Sequence, residues 1–570
     1  MSEETADKLV AMTQITSPTE SELERAGGAL AQPTMKPVES PAEGEVTLGT
    51  MHETGVRRGL KSRHIQLIAL GGSIGTGVFI GSGTILESCG PVPLILGYMV
   101  LSVVVWSAMN VLGEMTSYLP LKGATAPYMI NRYLDPSFAF AAGWNYWFAM
   151  MIVVPIECVA CARLMTYWTT SVPVAAWITI FLAVIVFLNL TAVEWYGESE
   201  FWFASLKFLA IFVLLITSAV IFWGGAPNSH GVLGFEYWNN PGAMKEYLVP
   251  GDTGRFLAVW RAICKAGFAF VFAPELLITT AGEVRSPRRN IPKVTRRYIY
   301  RLIFVYFLST IAIGVICPYN DPELVSAITD GNHSGAASPF VAGIKRAGIR
   351  GLDHVINAAI LTSAWSAGNS WLYCGSRTLY TLALEGHAPQ IFAKTSNNGN
   401  PYPAVVGTSV FATLGYLTCS TSSSKAFTWF SSLSTISGLI AWIIVFVTYL
   451  RFRKACEFHG ISDTLPFKAP FQPSFSYAGI AMCFLITLTN GFTVFFHGEW
   501  DVSDFLTNYL SIAIVVVLYV AYKTYRRGPI WRPIEEIDVF TGKDMMDRLE
   551  AEDHHIIPKH WYQRFWAWLC

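Results

Sequence analysis

The sequence predicts an all-α protein that crosses a lipid bilayer about twelve times, and three observations carry the prediction. Apolar residues make up 52% of the 570-residue chain, and mean hydropathy is +0.40. Charged residues are 14%, where a soluble protein carries roughly 25%. Apolar windows recur along the chain at about 20 residues, the length a helix needs to span hydrocarbon. The charges are also unevenly spread: of the 466 residues from 61 to 526, only 51 are charged. So few charges cannot clothe a water-exposed surface of that size. A soluble enzyme, a disordered chain and a nucleic-acid binder are thereby excluded. The same count divides the chain into a cytosolic tail over 1–60, a membrane core over 61–526 and a second cytosolic tail over 527–570.

In chain order the windows fall at 65–85, 92–117, 138–167, 171–191, 200–223, 256–281, 298–318, 352–381, 401–420, 426–450, 474–496 and 505–523. Those at 256–281 and 352–381 hold more polar and small residues than lipid-facing helices tolerate, so their neighbours should wrap them. An even number of spans puts both termini on one side. Lys and Arg, which favour the cytosolic side of short loops, number 23 on the side of the termini and 6 on the other. Both termini should therefore face the cytosol, and the loop near 319–351 should lie outside. That loop holds Asn332-His333-Ser334, an N-glycosylation triplet. The acidic N-terminal tail, rich in Glu, Ser, Thr and Pro, cannot bury enough apolar area to fold. Its Lys8 and Lys36 make it a handle for modification, of the kind read by ubiquitin-ligase and endocytic machinery. The aromatic-rich C-terminal tail is expected to dock on the membrane surface. Cys158 and Cys161 form a lone CxxC in an apolar run and read as small buried hydrophobes. No metal or cofactor is expected.

Two windows are poor helices. The first, IQLIALGGSIGTGVFIGSGTIL, carries Gly71, Gly72, Gly75, Gly77, Gly81 and Gly83, each costing about 1 kcal/mol in a helix interior. Their mid-span clustering with Ser73 and Thr76 predicts an unwound stretch, which at membrane depth must line a cavity or be buried in protein. The sixth, VWRAICKAGFAFVFAPELLITTAG, contains Gly267 and Pro274; proline removes a backbone donor and clashes one turn back. Lys265 and Glu275 lie inside it, and charges at that depth usually mark a substrate or ion path. Interrupted helices 1 and 6, five spans apart, form the pattern of a five-plus-five inverted repeat (LeuT-like) with its site at the midplane.

These residues resemble a known family. GGSIGTGVFIGSG (71–83) looks like the first-helix motif of the amino acid–polyamine–organocation superfamily. KGATAPYMINRYLDPSFAFAAGWNYW (122–147), YGESEFWFASLKFLAI (196–211), AGEVRSPRRNIPKV (281–294), GNSWLYCGSRTLYTLALEGHAP (368–389) and NGNPYPAV (398–405) resemble, in order, the fungal (yeast-type) amino acid permeases. Among these the proline permeases of filamentous fungi look most similar. The resemblance implies proton-coupled import of L-proline across the plasma membrane by alternating access. Permeases for other amino acids (broad neutral, γ-aminobutyrate or basic) and a non-transporting sensor of the same fold are the alternatives. No motif of an enzyme is present.

An amino acid offers a carboxylate, an ammonium and a side chain. Free N–H groups at a helix break suit the carboxylate, a role given to Ser73, Gly75, Thr76 and Gly77, as the family comparison also implies. Carbonyls around Ala269–Phe272 suit the ammonium, and Phe268, Phe270 and Phe272 are candidate apolar walls. Lys265 lies three residues from Phe268, on the same face, and disfavours cationic substrates. Glu157 and Glu275 are carboxyls taken out of water, where the neutral form is favoured, so both are candidate proton carriers. By resemblance Lys207 is a third, and Asn369 and Ser370 are cavity or gate residues. The family pattern places GxE where this chain has Ala273-Pro274-Glu275, which alters the local backbone there. Glu194, Glu198 and Glu200 read as a cytosolic acidic cluster facing the basic loop at 285–301.

Overall fold

The computed structural model describes residues 74–121, 125–191, 193–228, 231–281, 286–329, 337–397, 399–419 and 423–551. Lys8, Lys36, Ser73, Asn332, the upstream part of the first span and the aromatic stretch at 560–570 lie outside the described residues, as does the side chain of Glu194. Within them every regular element is helical. The elements, in order, are α1 (Ser82–Cys89), α2 (Pro91–Tyr118), α3 (Ala126–Tyr133), α4 (Pro136–Met165), α5 (Val174–Leu190), α6 (Val193–Phe222), α7 (Gly251–Ala266), α8 (Ala273–Ala281), α9 (Pro287–Arg301), α10 (Leu308–Ile316), α11 (Pro322–Thr329), α12 (Pro339–Arg346), α13 (Leu352–Leu384), α14 (Tyr402–Phe411), α15 (Ser423–Phe458), α16 (Ser474–Thr489), α17 (Val502–Arg526) and α18 (Lys543–Ala551).

Local chemistry sets many of the starts. α2 follows Gly90, held at φ 91°, and opens on Pro91, whose fixed φ suits the first helical position. Asp135 caps α4 by accepting from the Ser137 N–H at 2.8 Å. Asp501 caps α17 in the same way, at 2.7 Å from the Ser503 N–H.

Among the described residues seven helical stretches are long and apolar enough to cross a membrane: Pro91–Tyr118, Pro136–Met165, Trp195–Phe222, Gly251–Thr279, Pro287–Ile316, Phe427–Phe458 and Val502–Arg526. α5 and α16 are shorter but also apolar. The windows at 352–381 and 401–420 coincide with α13 and with α14 plus the 3-10 turn Ala412–Cys419. α13 falls short of the same apolar standard because it carries Asn357, Ser363, Ser366, Asn369 and Ser370, all buried, and α14 is only 10 residues long. The outside of the bundle is the reverse. Along α6, Leu206, Leu209, Phe212, Ile216 and Val220 form one exposed apolar stripe at helical spacing, a surface that lipid covers and water would not tolerate.

The described part of the C-terminal segment, up to Ala551, docks on protein. Arg132 of α3, buried, donates to the carbonyls of Asp538 and Thr541 at 2.6 and 2.8 Å and pairs with the Asp538 carboxylate at 3.2 Å. The Tyr118 hydroxyl donates to the Val539 carbonyl at 2.9 Å, and Arg288 of α9 pairs with Asp547 and with Glu550 at 3.0 Å. Ile537, Val539 and Met546 are buried beneath these contacts. Burial works against the charge of Asp538, but Arg132 and the N–H groups of Thr541 and Phe540 outweigh it and hold the carboxyl below its ordinary range. Arg132→Ala strands three acceptors and is expected to weaken docking by about 1.5–3 kcal/mol. Proteolytic cleavage within 534–551 should accelerate about tenfold or more; an unchanged cleavage rate would refute the clamp.

Candidate substrate-binding site

Both weak windows break. α7 ends at Ala266, a 3-10 turn covers Gly267–Ala269, and Phe270–Phe272 are non-helical before α8 resumes with Pro274 in its first turn. Phe272 has φ 59°, a left-handed conformation that a bulky residue adopts only under constraint from its surroundings. In the first window Ile74 and Gly75 are outside helix, and Gly77–Gly81 form a π turn leading into α1.

The two breaks meet. A Cβ at Gly77 would lie 2.6 Å from the Ala269 Cα, so only glycine lets the backbones approach this closely. The Tyr98 hydroxyl donates to the Gly77 carbonyl at 3.0 Å, and the Tyr306 hydroxyl donates to the Ala269 carbonyl at 3.2 Å. These two tyrosines bond the irregular backbone that helix hydrogen bonds no longer satisfy. Ser363 of α13 does the same for the Ile74 carbonyl at 2.9 Å.

Between the breaks lies a cavity of about 20 Å³, lined by Gly75, Gly77, Val153, Glu157, Phe268, Ala269, Val271, Trp371 and Ser434. That is room for about one water, too little for an amino acid. Glu157 of α4 accepts from the Thr76 N–H at 3.4 Å and from the Thr76 hydroxyl at 3.2 Å. Its second oxygen has no partner among the described residues. A larger cavity of about 370 Å³ lies beyond, lined in part by Glu87, Arg261, Lys265, Phe268, Phe427 and Asp504. Phe268 belongs to both linings, and its ring sits 6.1 Å from that of Phe427. It stands between vestibule and inner cavity.

The sequence-predicted residues separate accordingly. Gly75, Gly77, Phe268 and Glu157 line the inner cavity, with Thr76 bonded to Glu157. Lys265 lines the vestibule. Of the three phenylalanines expected as walls, Phe270 turns away to Tyr306 and Tyr98, at 4.2 and 5.5 Å between ring centroids. Phe272 packs on Tyr146 and Trp371. Glu275 accepts from the Tyr146 hydroxyl at 3.2 Å and from the Trp442 indole N–H at 2.9 Å, outside the cavity lining. Asn369 accepts from the Asn189 amide at 2.8 Å, and Ser370 bonds the Tyr196 hydroxyl at 3.3 Å, so both face α5 and α6. Lys207 is buried with its Nζ 3.9 Å from Glu200. Glu200 departs from the expected cytosolic cluster: it is fully buried and accepts from Ser366 at 2.7 Å. Period-based reasoning could not place it, because a carboxylate near a span's end reads equally well as a solvated one. Trp371, Val153 and Ser434 went unnoticed for the reverse reason, since nothing in an apolar run distinguishes a cavity wall from core.

A family model described as amino acid permease matches residues 64–532, a range that takes in both breaks. A proline-specific permease of Emericella nidulans is 50% identical over 527 residues, covering 92% of this chain and 95% of that relative. A probable proline-specific permease of Schizosaccharomyces pombe is 49% identical, covering 88% and 90% respectively. A proline-specific permease of Saccharomyces cerevisiae is 45% identical, covering 90% and 82%. With the family expected from the motifs and the family found in agreement, the chain belongs to the amino acid permease family and is a multi-pass membrane protein.

Proposed function

We propose that this protein imports L-proline together with protons across the plasma membrane, by alternating access, with both termini cytosolic and twelve spans in a five-plus-five inverted repeat. The likeness to three relatives described as proline-specific permeases, one of them as probable, supports the substrate. The observation that carries the mechanism is the junction of two broken helices across a cavity in which Glu157 occupies the donors of Thr76.

Those donors are the ones a substrate carboxylate needs. Two carboxylates about 4 Å apart repel by about 4 kcal/mol at an effective dielectric of about 20. Proline and an ionised Glu157 therefore compete for Thr76, and protonating Glu157 removes the competitor. Proton and proline then strengthen each other's binding by the same factor, the thermodynamic coupling that symport uses. The apolar remainder of the cavity, Val153, Phe268, Val271 and Trp371, suits an aliphatic ring. The cavity must widen to admit it, and Phe268 is placed to swing aside. Phe270 and Phe272 belong to the second break itself, Asn369 and Ser370 bond to α5 and α6, and Glu275 and Lys207 lie outside the proline cavity.

Uptake of labelled proline into vesicles, with a competition panel and with an uncoupler, tests the reading. Saturable uptake abolished by the uncoupler is expected; uptake that the uncoupler leaves intact, or that proline fails to compete, would refute it. Lys265 lines the approach from outside and repels cationic side chains. Lys265→Ala is expected to let lysine compete about tenfold better, an effect of roughly 1.4 kcal/mol, with surface abundance unchanged. An unaltered competition profile would remove Lys265 from selectivity.

A further inference from the structure

Glu200 is a buried carboxylate that the binding of proline does not use. It lies seven residues before Lys207 on α6, two turns along the same helix face, about 10 Å nearer the helix's N-terminal end. Its Oε1 is 3.9 Å from the Lys207 Nζ and accepts the Ser366 hydroxyl at 2.7 Å. Its Oε2 has no hydrogen bond of normal geometry among the described residues, although the Ser370 hydroxyl also bears on the carboxyl, and both Glu200 and Lys207 are essentially without exposure. Leaving a carboxylate oxygen unsatisfied at this depth is costly, and such groups persist where they have work to do. Lys207 lies within electrostatic reach of Glu157 but forms its ion pair with Glu200, so it stands between the cavity carboxyl and Glu200 without touching the former. Beyond Glu200 the line of polar groups continues through Ser370 and the Tyr196 hydroxyl, 3.3 Å apart. The other charged or titratable groups facing it are Arg301 of α9, and Cys374 and Arg377 of α13.

We propose that Glu200 is the exit station for the coupled proton. The inference rests on the symport reading above. After proline is released, protonated Glu157 gives its proton, through a water bridging the gap between them, to the neutral Lys207 amine, leaving a carboxylate and an ammonium. The ammonium passes the proton to the Glu200 carboxylate, restoring the amine, and Glu200 delivers it to cytosolic water. Each transfer moves one proton and leaves net charge unchanged. Glu200 touches neither proline nor Thr76, so it acts on turnover of the proton and leaves the recognition of substrate alone.

The test uses the full chain in proteoliposomes. Glu200→Gln is expected to lower proline accumulation driven by an imposed pH gradient at least tenfold, together with proline-dependent proton entry, while proline–proline exchange stays within twofold. Glu200→Asp should recover most of the gradient-driven uptake, and Ser366→Ala should reduce it while preserving exchange. Gradient-driven accumulation at the wild-type level in Glu200→Gln would overturn the proposal. So would equal loss of accumulation and exchange in both Glu200→Asp and Ser366→Ala, which would mark a packing role. Absence of proline exchange in the unmodified protein would instead overturn the substrate reading, a result distinct from either.

Discussion

Replacing Gly77 by alanine is expected to reduce proline uptake by about 10- to 100-fold while the protein still reaches the membrane. The added Cβ would meet the Ala269 Cα at 2.6 Å, its Cβ at 2.9 Å and its N at 3.1 Å. None of these is the free end of a flexible side chain, so the two breaks must move apart. Overpacking costs about 1–3 kcal/mol; a cost here of about 1.4–2.7 kcal/mol falls on the closed state, where the breaks touch. A cycle that must pass through that state slows by the corresponding factor of about 10–100. Gly81, five residues from Thr76 on the same segment, provides the contrast. Its Cβ would find only the Thr76 carbonyl, at 3.9 Å, and Gly81→Ala is expected to transport normally. Uptake per molecule at the surface, measured for the two variants side by side, checks both. Equal activity would show that the breaks do not need to touch.

Glu157→Gln is expected to abolish uphill accumulation, so that internal and external proline merely equalise. Glutamine has the shape of the protonated carboxyl and no charge, so Thr76 remains available to a substrate carboxylate at every pH. Affinity should therefore lose its pH dependence, whereas in the unmodified protein affinity should fall as Glu157 ionises, by up to about a thousandfold for the roughly 4 kcal/mol repulsion estimated above. Binding measured across pH, beside gradient-driven uptake, separates this outcome from simple loss of fold. Retention of uphill accumulation in Glu157→Gln would place the coupling proton elsewhere. The pattern also differs from that expected of Glu200→Gln, in which the pH dependence of affinity survives and only net proton entry fails.

Much of this architecture was legible in the chain. Composition alone set the membrane class, because a sequence with so few charges has no other solvent to face. The positions of the breaks followed from local penalties: glycine at 71–83 and Gly267 with Pro274 weaken a helix wherever it is placed. Glu157 was legible as a candidate carboxyl because charge at membrane depth is costly, and it lines the inner cavity. The roles of Phe268, Phe270 and Phe272 were not, because helical periodicity is the only rule that assigns faces from sequence, and it lapses where the helix does. The left-handed turn at Phe272 sends neighbouring rings to different partners, which no regular period anticipates.

What the sequence by itself determined was therefore the solvent, the helices, their weak points and the family, all properties of single segments a few turns long. What the tertiary structure decided was which of those segments touch: Gly77 against Ala269, Glu200 beneath Lys207, and Arg132 on Asp538, 406 residues away. Such contacts depend on how distant helices pack together, and the penalties that act within one helix carry no information about its partner.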